Sequence, residues 1–436
     1  MSPTPILDKL AQLAPEELLN RPLSSYSQQT GQCDCACALP SANTPALIPP
    51  AMPTLSTRKN KTSQPEQLFD RLDASPQILE PTTPLCAWLH VSDHCNLRCS
   101  YCYLPHQPAD MSLATGHTAI DATIRSATVH GYRAIKLKYA GGEPLLCFPL
   151  LVDLHSYAQA QAEQHNLALD GVVLSNGTLL TRPMITQLQA ADLRLMISLD
   201  GIGSMHNCQR QYADGRGSFN AVARAVELAL SMGLVPDISI TVSGRNAQGL
   251  PNVVAWVLER DLPFSLNFYR ENPETVSQHG LQLEKSRIIK GMRAAYKVIA
   301  QRLPRRSLLT SLLDHTNLAI PHLHTCNAGR NYLVFDSHGR ISKCQMDMAH
   351  PITDCQDFDP LGTIRTSTDG VQNPSVDEKI ECRDCEWRYW CGGGCPLQAH
   401  YVKGSPLAKS PNCDIYKALF PEIMHLESLR LNKLCS

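Results

Sequence analysis

From Leu85 onward, apolar and polar positions repeat one pattern: a short β-rich apolar run, a polar or Gly-containing turn, then a longer segment with apolar residues at helical spacing. The strand-like runs are Ala87 to Val91, Ala134 to Tyr139, Gly171 to Leu174, Leu193 to Leu199, Pro236 to Val242 and Phe264 to Phe268. Between them, helical spacing occurs near Leu113 to His130, Leu145 to His165, Arg182 to Ala190, Ser218 to Met232 and Leu250 to Glu259. Six strands alternating with helices predict a parallel sheet with outer helices. A closed eight-stranded barrel needs two further units that the pattern does not supply, so the fold class is α/β, with a six-stranded open barrel. In such barrels the chemistry sits on loops that follow the strands' C-terminal ends. Residues 93–102, 141–144, 175–178 and 198–201 would then open onto one rim.

The flanks read differently. A short helix candidate, about Pro5 to Leu19, precedes a stretch from Ala38 to Gln67 that carries Pro40, Pro45, Pro49, Pro50, Pro53 and Pro65 and little periodicity. That composition predicts an N-terminal arm or linker over 1–80, partly disordered. The barrel then spans 81–310 and a cysteine-rich tail 311–436. A chain of 436 residues can bury two or three cores. Lys plus Arg total 39 against 40 for Asp plus Glu, so bulk charge asks for neither nucleic acid nor an anionic membrane. The start lacks a basic segment leading into an apolar run, and nowhere is there a stretch of about 18 apolar residues, so the expected home is the cytoplasm.

Eighteen cysteines in a reducing compartment need an explanation other than disulfides. Three occur in His94-Cys95-Asn96-Leu97-Arg98-Cys99-Ser100-Tyr101-Cys102, seven form a patterned set between Cys326 and Cys413, and three are Cys33, Cys35 and Cys37. For the scattered five, Cys86, Cys147, Cys208, Cys355 and Cys435, a small buried apolar side chain is the expectation. The trio Cys95, Cys99 and Cys102 cannot pair internally, and structural zinc wants four closed ligands. Three thiolates suit a four-iron four-sulfur cluster that keeps one iron open to a small molecule.

The loop resembles the signature of radical S-adenosylmethionine (radical SAM) enzymes. In that family the open iron chelates the methionine part of the cofactor, and an electron from the cluster cleaves the sulfonium to a 5'-deoxyadenosyl radical. Tyr101 matches the family's aromatic, whose backbone lies near the adenine. Gly141 and Gly142 let backbone approach a ligand and Glu143 can accept from a cation; alone this is an ordinary turn, but one unit after the cysteine loop it resembles the family's site for the methionine amino group. Ser198 and Asp200 face one side at a strand end and suit two ribose hydroxyls, or else a turn or helix cap. Ser175 and Asn176 stand where the family uses further polar groups. The run His206-Asn207-Cys208-Gln209-Arg210 before Gly215-Arg216-Gly217-Ser218-Phe219 is similar to one in related maturases, whose arginine reaches the cofactor carboxylate. Arg210 matches it, while Asn207 stands where they have aspartate.

The tail reads C-x17-C from Cys326 to Cys344, then C-x2-C-x5-C-x3-C through Cys382, Cys385, Cys391 and Cys395, then Cys413. It resembles the SPASM domain, which carries auxiliary iron-sulfur clusters in peptide- and protein-modifying radical SAM enzymes. The resemblance implies one cluster on Cys382, Cys385, Cys391 and Cys413 and another on Cys326, Cys344 and Cys395. The fourth position of the latter is open: His322 or His324 fills it, or it awaits a substrate thiolate. A ribbon holding two zinc ions is the alternative. Cys33, Cys35 and Cys37 alternate along one face of extended chain, able to bind metal or substrate or simply to stand exposed, and receive no role.

The expectation is therefore a radical SAM maturase that uses S-adenosylmethionine, its four-iron cluster and one or two auxiliary clusters, with a peptide or protein substrate and an electron donor such as flavodoxin or ferredoxin. Its product would be a crosslinked or otherwise modified ribosomally made peptide. One alternative is a maturase of the anaerobic sulfatase type that forms formylglycine; those enzymes carry an aspartate after the second tail cysteine, where Gln345 stands, with Asp347 two residues further. The other is a non-catalytic zinc scaffold.

Overall fold

The computed structural model describes residues 83–435 except 273, 274, 276 and 277, so the arm, its helix candidate, and Cys33, Cys35 and Cys37 lie outside the described residues. Its strands are β1 Leu85–Ser92, β2 Ala134–Gly141, β3 Ala168–Ser175, β4 Leu193–Ser198, β5 Asp237–Val242, β6 Phe264–Phe268, β7 Tyr332–Phe335, β8 Arg340–Ser342 and β9 Thr353–Asp354. The sheet order is β6-β5-β4-β3-β2-β1-β7-β8-β9. Every pair from β6 to β7 is parallel, and the last two are antiparallel.

The first six strands and their helices match the periodic reading. The main helices are α1 Leu113–Val129, α2 Phe148–Gln164, α3 Arg182–Ala190, α4 Phe219–Ser231, α5 Leu250–Glu259, α6 Lys285–Gln301 and α7 Cys413–Cys435. A parallel strand covered on both faces reads as a nearly continuous apolar run, and β1 obeys this: every residue but Trp88 is buried. Local caps start the helices. The Ser112 hydroxyl accepts from Thr115 N at 3.0 Å, and Thr181 plays the same part for α3.

The sheet runs past the predicted six strands. β7, from the cysteine-rich tail, pairs with β1 from Cys86↔Tyr332 to Leu89↔Phe335, so the tail is stitched to the edge of the sheet. α6 buries Ile288, Met292, Ala295 and Ile299 along one stripe, and α7 lies beside it with Arg293–Glu422 and Lys285–Asp414 ion pairs at 2.7 and 3.0 Å. The Glu427 carboxylate of α7 accepts from Leu308 N and from the Ser307 hydroxyl, both at 2.9 Å, which ties the last helix to the chain leaving the barrel. Among the described residues no helix is long and apolar enough to cross a membrane. Of the scattered cysteines, Cys355 is buried as expected; against expectation Cys86, also buried, is disulfide-bonded, Cys147 is only half-buried, and Cys208 and Cys435 are exposed.

Candidate functional site

Because the strands are parallel, the loops after β1 to β5 gather at one rim. The cysteine loop is woven into it by backbone. Arg98 N donates to Gln211 O at 2.7 Å and Ser100 N to Gln209 O at 2.9 Å, while Gly142 N and Glu143 N donate to Ser92 O and His94 O at 2.6 and 2.8 Å. Leu97, fully buried, anchors its middle. The close packing explains both glycines: a Cβ on Gly141 would stand 2.3 Å from Ser92 O, and one on Gly142 2.1 Å from His94 O. Burial pushes the Cys95 thiol up to about 11 and the Cys99 thiol up to about 12; Cys102 is raised by the same cause. Arg210 opposes the rise at all three, and Cys95 and Cys99 each feel Cys102. Three thiols in electrostatic reach of one another, neutral by themselves, are a donor set that a bound cationic metal group would ionise.

Glu143 is fully buried. Its Oε1 accepts from Leu145 N at 3.0 Å and from the Ser175 hydroxyl at 2.7 Å, and its Oε2 accepts from Asn176 N at 2.7 Å. The carboxylate thus clasps the turns after β2 and β3. Burial still raises its pKa despite these donors. With room for about four acceptances, it retains one for a cation. Asn176 continues the weave, donating to Asn96 Oδ1 at 2.9 Å, and Asn96 donates to the Thr178 hydroxyl at 2.8 Å.

Tyr101, Asp200 and Arg210 meet beside the cysteine loop. The Tyr101 hydroxyl donates to Asp200 Oδ2 at 2.6 Å and accepts from Arg210 Nη1, which lies 3.6 Å from the same carboxylate oxygen. Thr241 N holds the other carboxylate oxygen at 2.8 Å. Asp200 is raised by burial and lowered by Arg210, and the guanidinium stays charged because Cys99, Tyr101 and Asp200 outweigh its desolvation. Arg210 Nε is buried without a hydrogen-bond partner. An orphaned donor on a buried guanidinium is the vacancy a ligand carboxylate would fill. Ser198, half-buried at the end of β4, pairs in register with Ser239.

Sequence reasoning missed the supports of this cluster. His206 is fully buried; its Nδ1 accepts from Asp200 N at 3.2 Å, so Nε2 carries the proton and donates to the Ser218 hydroxyl at 3.0 Å, which donates to Arg210 O at 2.9 Å. Burial, then Arg210, pushes its pKa down to about 3, which keeps it neutral. Asn246 donates to Asp200 O at 2.7 Å and Thr241 O at 2.8 Å and accepts from Ser243 N at 2.8 Å. Its position in the turn after a barrel strand is the available signal. Asn207, in place of aspartate, accepts from Phe219 N at 3.0 Å and so begins α4.

The tail thiols fall into two electrostatic neighbourhoods. Cys344 is raised by burial and then by Cys326, with Cys395 adding to it. Cys391 is pushed up to about 12 by burial, with Cys382, Cys385 and Cys413 contributing. Lys379, buried, donates to Gly393 O at 3.3 Å and feels Cys382, Cys395, Cys391 and Cys326. Cys326, Cys344 and Cys395 line a cavity with His315, Arg270 and Gln345. Burial, then Arg270, pushes His315 down to about 4. Among the described residues no three His, Cys, Asp or Glu side chains could hold a single metal ion. A cluster makes a different demand, because each protein ligand binds a different iron.

Residues 89–257 match the model of the Radical SAM superfamily. Over 375 residues the chain is 23% identical to the serine-type anaerobic sulfatase-maturating enzyme of Klebsiella aerogenes, covering 80% of this chain and 88% of that one. Its fold is similar to anSMEcpe with bound AdoMet and a peptide, at a TM-score of 0.63 and 20% identity over 79% of this chain and 99% of that one. It is also similar to Streptococcus suis SuiB bound to precursor peptide SuiA, at a TM-score of 0.53 and 15% identity over 82% and 83%.

Proposed function

We propose that this chain, an enzyme of the radical SAM oxidoreductase kind, abstracts hydrogen from a ribosomally made peptide and leaves a crosslink or another modification. The observation that carries the reading is a loop of three free thiols, Cys95, Cys99 and Cys102, set beside a buried guanidinium with an unpartnered Nε. Cys95, Cys99 and Cys102 would hold a four-iron cluster, which when bound supplies the electron that cleaves S-adenosylmethionine. The chain's own residues hold that cofactor still. Arg210 grips its carboxylate, Glu143 accepts from its amino group beside Gly141 and Gly142, and Ser198, Asp200 and Ser175 take up polar groups of its nucleoside. The buried neutral His206 fixes Asp200 and, through Ser218, the backbone of Arg210.

In the tail, Cys382, Cys385, Cys391 and Cys413 would hold one auxiliary cluster and Cys326, Cys344 and Cys395 another, so that 311–436 is an auxiliary-cluster domain beside the 81–310 barrel. Substrate enters near the cavity that the second set lines, and a flavodoxin or ferredoxin delivers the electron. The peptide-bound relative in the same fold and the maturase relative support a peptide or protein substrate. Formylglycine formation is the second reading, favoured by the sulfatase-maturating relative. Against it, the residue after Cys344 is Gln345, whose amide cannot take a proton at neutral pH and is engaged by the Tyr332 hydroxyl at 3.1 Å.

Anaerobic reconstitution with a reductant tests the reading. The enzyme should contain iron and release 5'-deoxyadenosine; zinc without iron, or no cofactor cleavage, sinks it. With a co-expressed precursor peptide, loss of two hydrogens with no hydrazide-reactive carbonyl supports crosslinking, and a trapped aldehyde selects formylglycine instead.

A further inference from the structure

We infer that the His315 imidazole is the fourth protein ligand of an auxiliary cluster held by Cys326, Cys344 and Cys395. The inference rests on the proposed reading of those thiols as cluster ligands. All four side chains line one cavity. The imidazole Nδ1 is shielded from solvent and has no hydrogen-bond partner, although a buried ring nitrogen ordinarily finds one. Imidazole is an established iron ligand, including on iron-sulfur clusters.

The histidines nearer in sequence to Cys326 stand outside the cavity. His322 Nδ1 bonds to Ile320 O and His324 Nδ1 to Asn373 O, each at 3.1 Å, and neither side chain lines the cavity. Gln345, another wall residue, already accepts from the Tyr332 hydroxyl. His315 also occupies the left-handed region at φ 52, an uncommon conformation for a residue with a Cβ. Its neighbours enforce it: Arg270 Nη2 clamps Asp314 at 2.9 and 3.1 Å, and Thr316 N closes on Leu313 O at 3.1 Å. Such backbone strain gathers at sites where a side chain must be presented. Ligation moves no electron: a neutral nitrogen lone pair binds the iron that the three thiolates leave without a protein ligand.

The test is pulsed electron paramagnetic resonance of the reduced full chain carrying Cys95→Ala, Cys99→Ala and Cys102→Ala, so that only tail clusters contribute. With nitrogen-15 histidine the spectrum should show the coupling of an iron-bound imidazole. That coupling should vanish in His315→Ala and persist in His322→Ala and His324→Ala. In His315→Cys the cluster should remain and its midpoint potential should fall, since a thiolate replaces a neutral ligand. Signal from the Cys382 set, retained in every variant, reports that the tail is folded. Cluster iron on the Cys326 set without histidine coupling, including one ligated by an added peptide thiolate, would overturn the ligand assignment alone. Iron content unchanged by Cys344→Ala would overturn the cluster reading beneath it as well.

Discussion

The Cys95–Cys102 loop and the Cys382–Cys395 segment both crowd thiols into a few residues, yet they are built in opposite ways. The first, with the residues that lead into it, is laced by backbone hydrogen bonds to the turn after β2 and to 209–211, on a rim that six parallel strands create. The second consists of single helical turns and three successive glycines at φ 54, 79 and 74. The Thr325 hydroxyl reaches the carbonyls of Cys391, Gly392 and Gly394 at 3.1, 2.8 and 2.9 Å, and Lys379 fills the space against Gly393. Regular sheet holds thiols in place whether or not anything binds them. A segment of turns, if its thiols hold a cluster as proposed, would lean on what they bind, as small metal-stapled domains do. Loss of a ligand should therefore cost activity at the rim and structure in the tail.

The largest expected contrast comes from paired cysteine variants. Cys99→Ala should abolish cofactor cleavage while tail iron and the thermal transition stay near those of the parent. Cys391→Ala should lose the iron of its set and open the tail to protease. Iron analysis and limited proteolysis read both, and equal protease resistance in the two would break the comparison.

Next in size is the close approach of the second rim loop. In Gly142→Ala the new methyl would lie 2.1 Å from His94 O and 2.5 Å from His94 C, both backbone atoms inside a hydrogen-bonded turn. Destabilisation of about 3 kcal/mol is expected, with weaker cofactor binding because the cysteine loop must shift. Urea unfolding and equilibrium binding of S-adenosylmethionine check it; an unchanged midpoint would mean the rim is looser than its backbone bonds imply.

Acid sharpens the contrast from another side. His206 is pushed down to about 3 and His155 and His315 to about 4, all chiefly by burial. The unfolded chain, whose histidines titrate near 6.5, takes up protons first. Stability from these groups is thus present above that pH and lost as pH falls toward the folded values, at up to about 1.4 kcal/mol per pH unit for each. His206→Gln should flatten the fall in urea midpoint between pH 7 and pH 5 relative to the parent. Parallel profiles would mean that His206 is not held neutral.

These supports mark the limit of what was legible from sequence. The strand at Phe264–Phe268 was readable to the residue, and β4 to within one, because alternating or continuous apolar runs carry their own period. β7, β8 and β9 have four, three and two residues, too short for any period, so the tail's attachment to β1 stayed hidden. α6 has a clear stripe at Ile288, Met292, Ala295 and Ile299, but it follows the last strand of the repeat, and no further strand announces it. In the site, thiol spacing is written along the chain, and Cys95 and Cys99 do come within electrostatic reach of Cys102. Gly141 and Gly142 were expected to admit a ligand, and the close approach they make is to Ser92 and His94. His315 was invisible, since a single histidine in irregular chain has no spacing to betray it.

The smallest effect asks how much the rim owes to one side chain. Asn207 Oδ1 accepts from the first N–H of α4, a capping bond to a residue 12 positions further along the chain. Asn207→Ala should cost about 1 kcal/mol. Asn207→Asp keeps the acceptor and adds a charge at the helix N-terminus, so it should recover that loss and gain about 0.5 kcal/mol at low salt. Urea midpoints of the three proteins should rank Asp, Asn, Ala, with the Asp advantage shrinking as salt is added. If Ala matches the parent, the backbone pairs of Arg98 and Ser100 hold the 207–211 segment without help, and the rim is more self-sufficient than the side chains around it suggest.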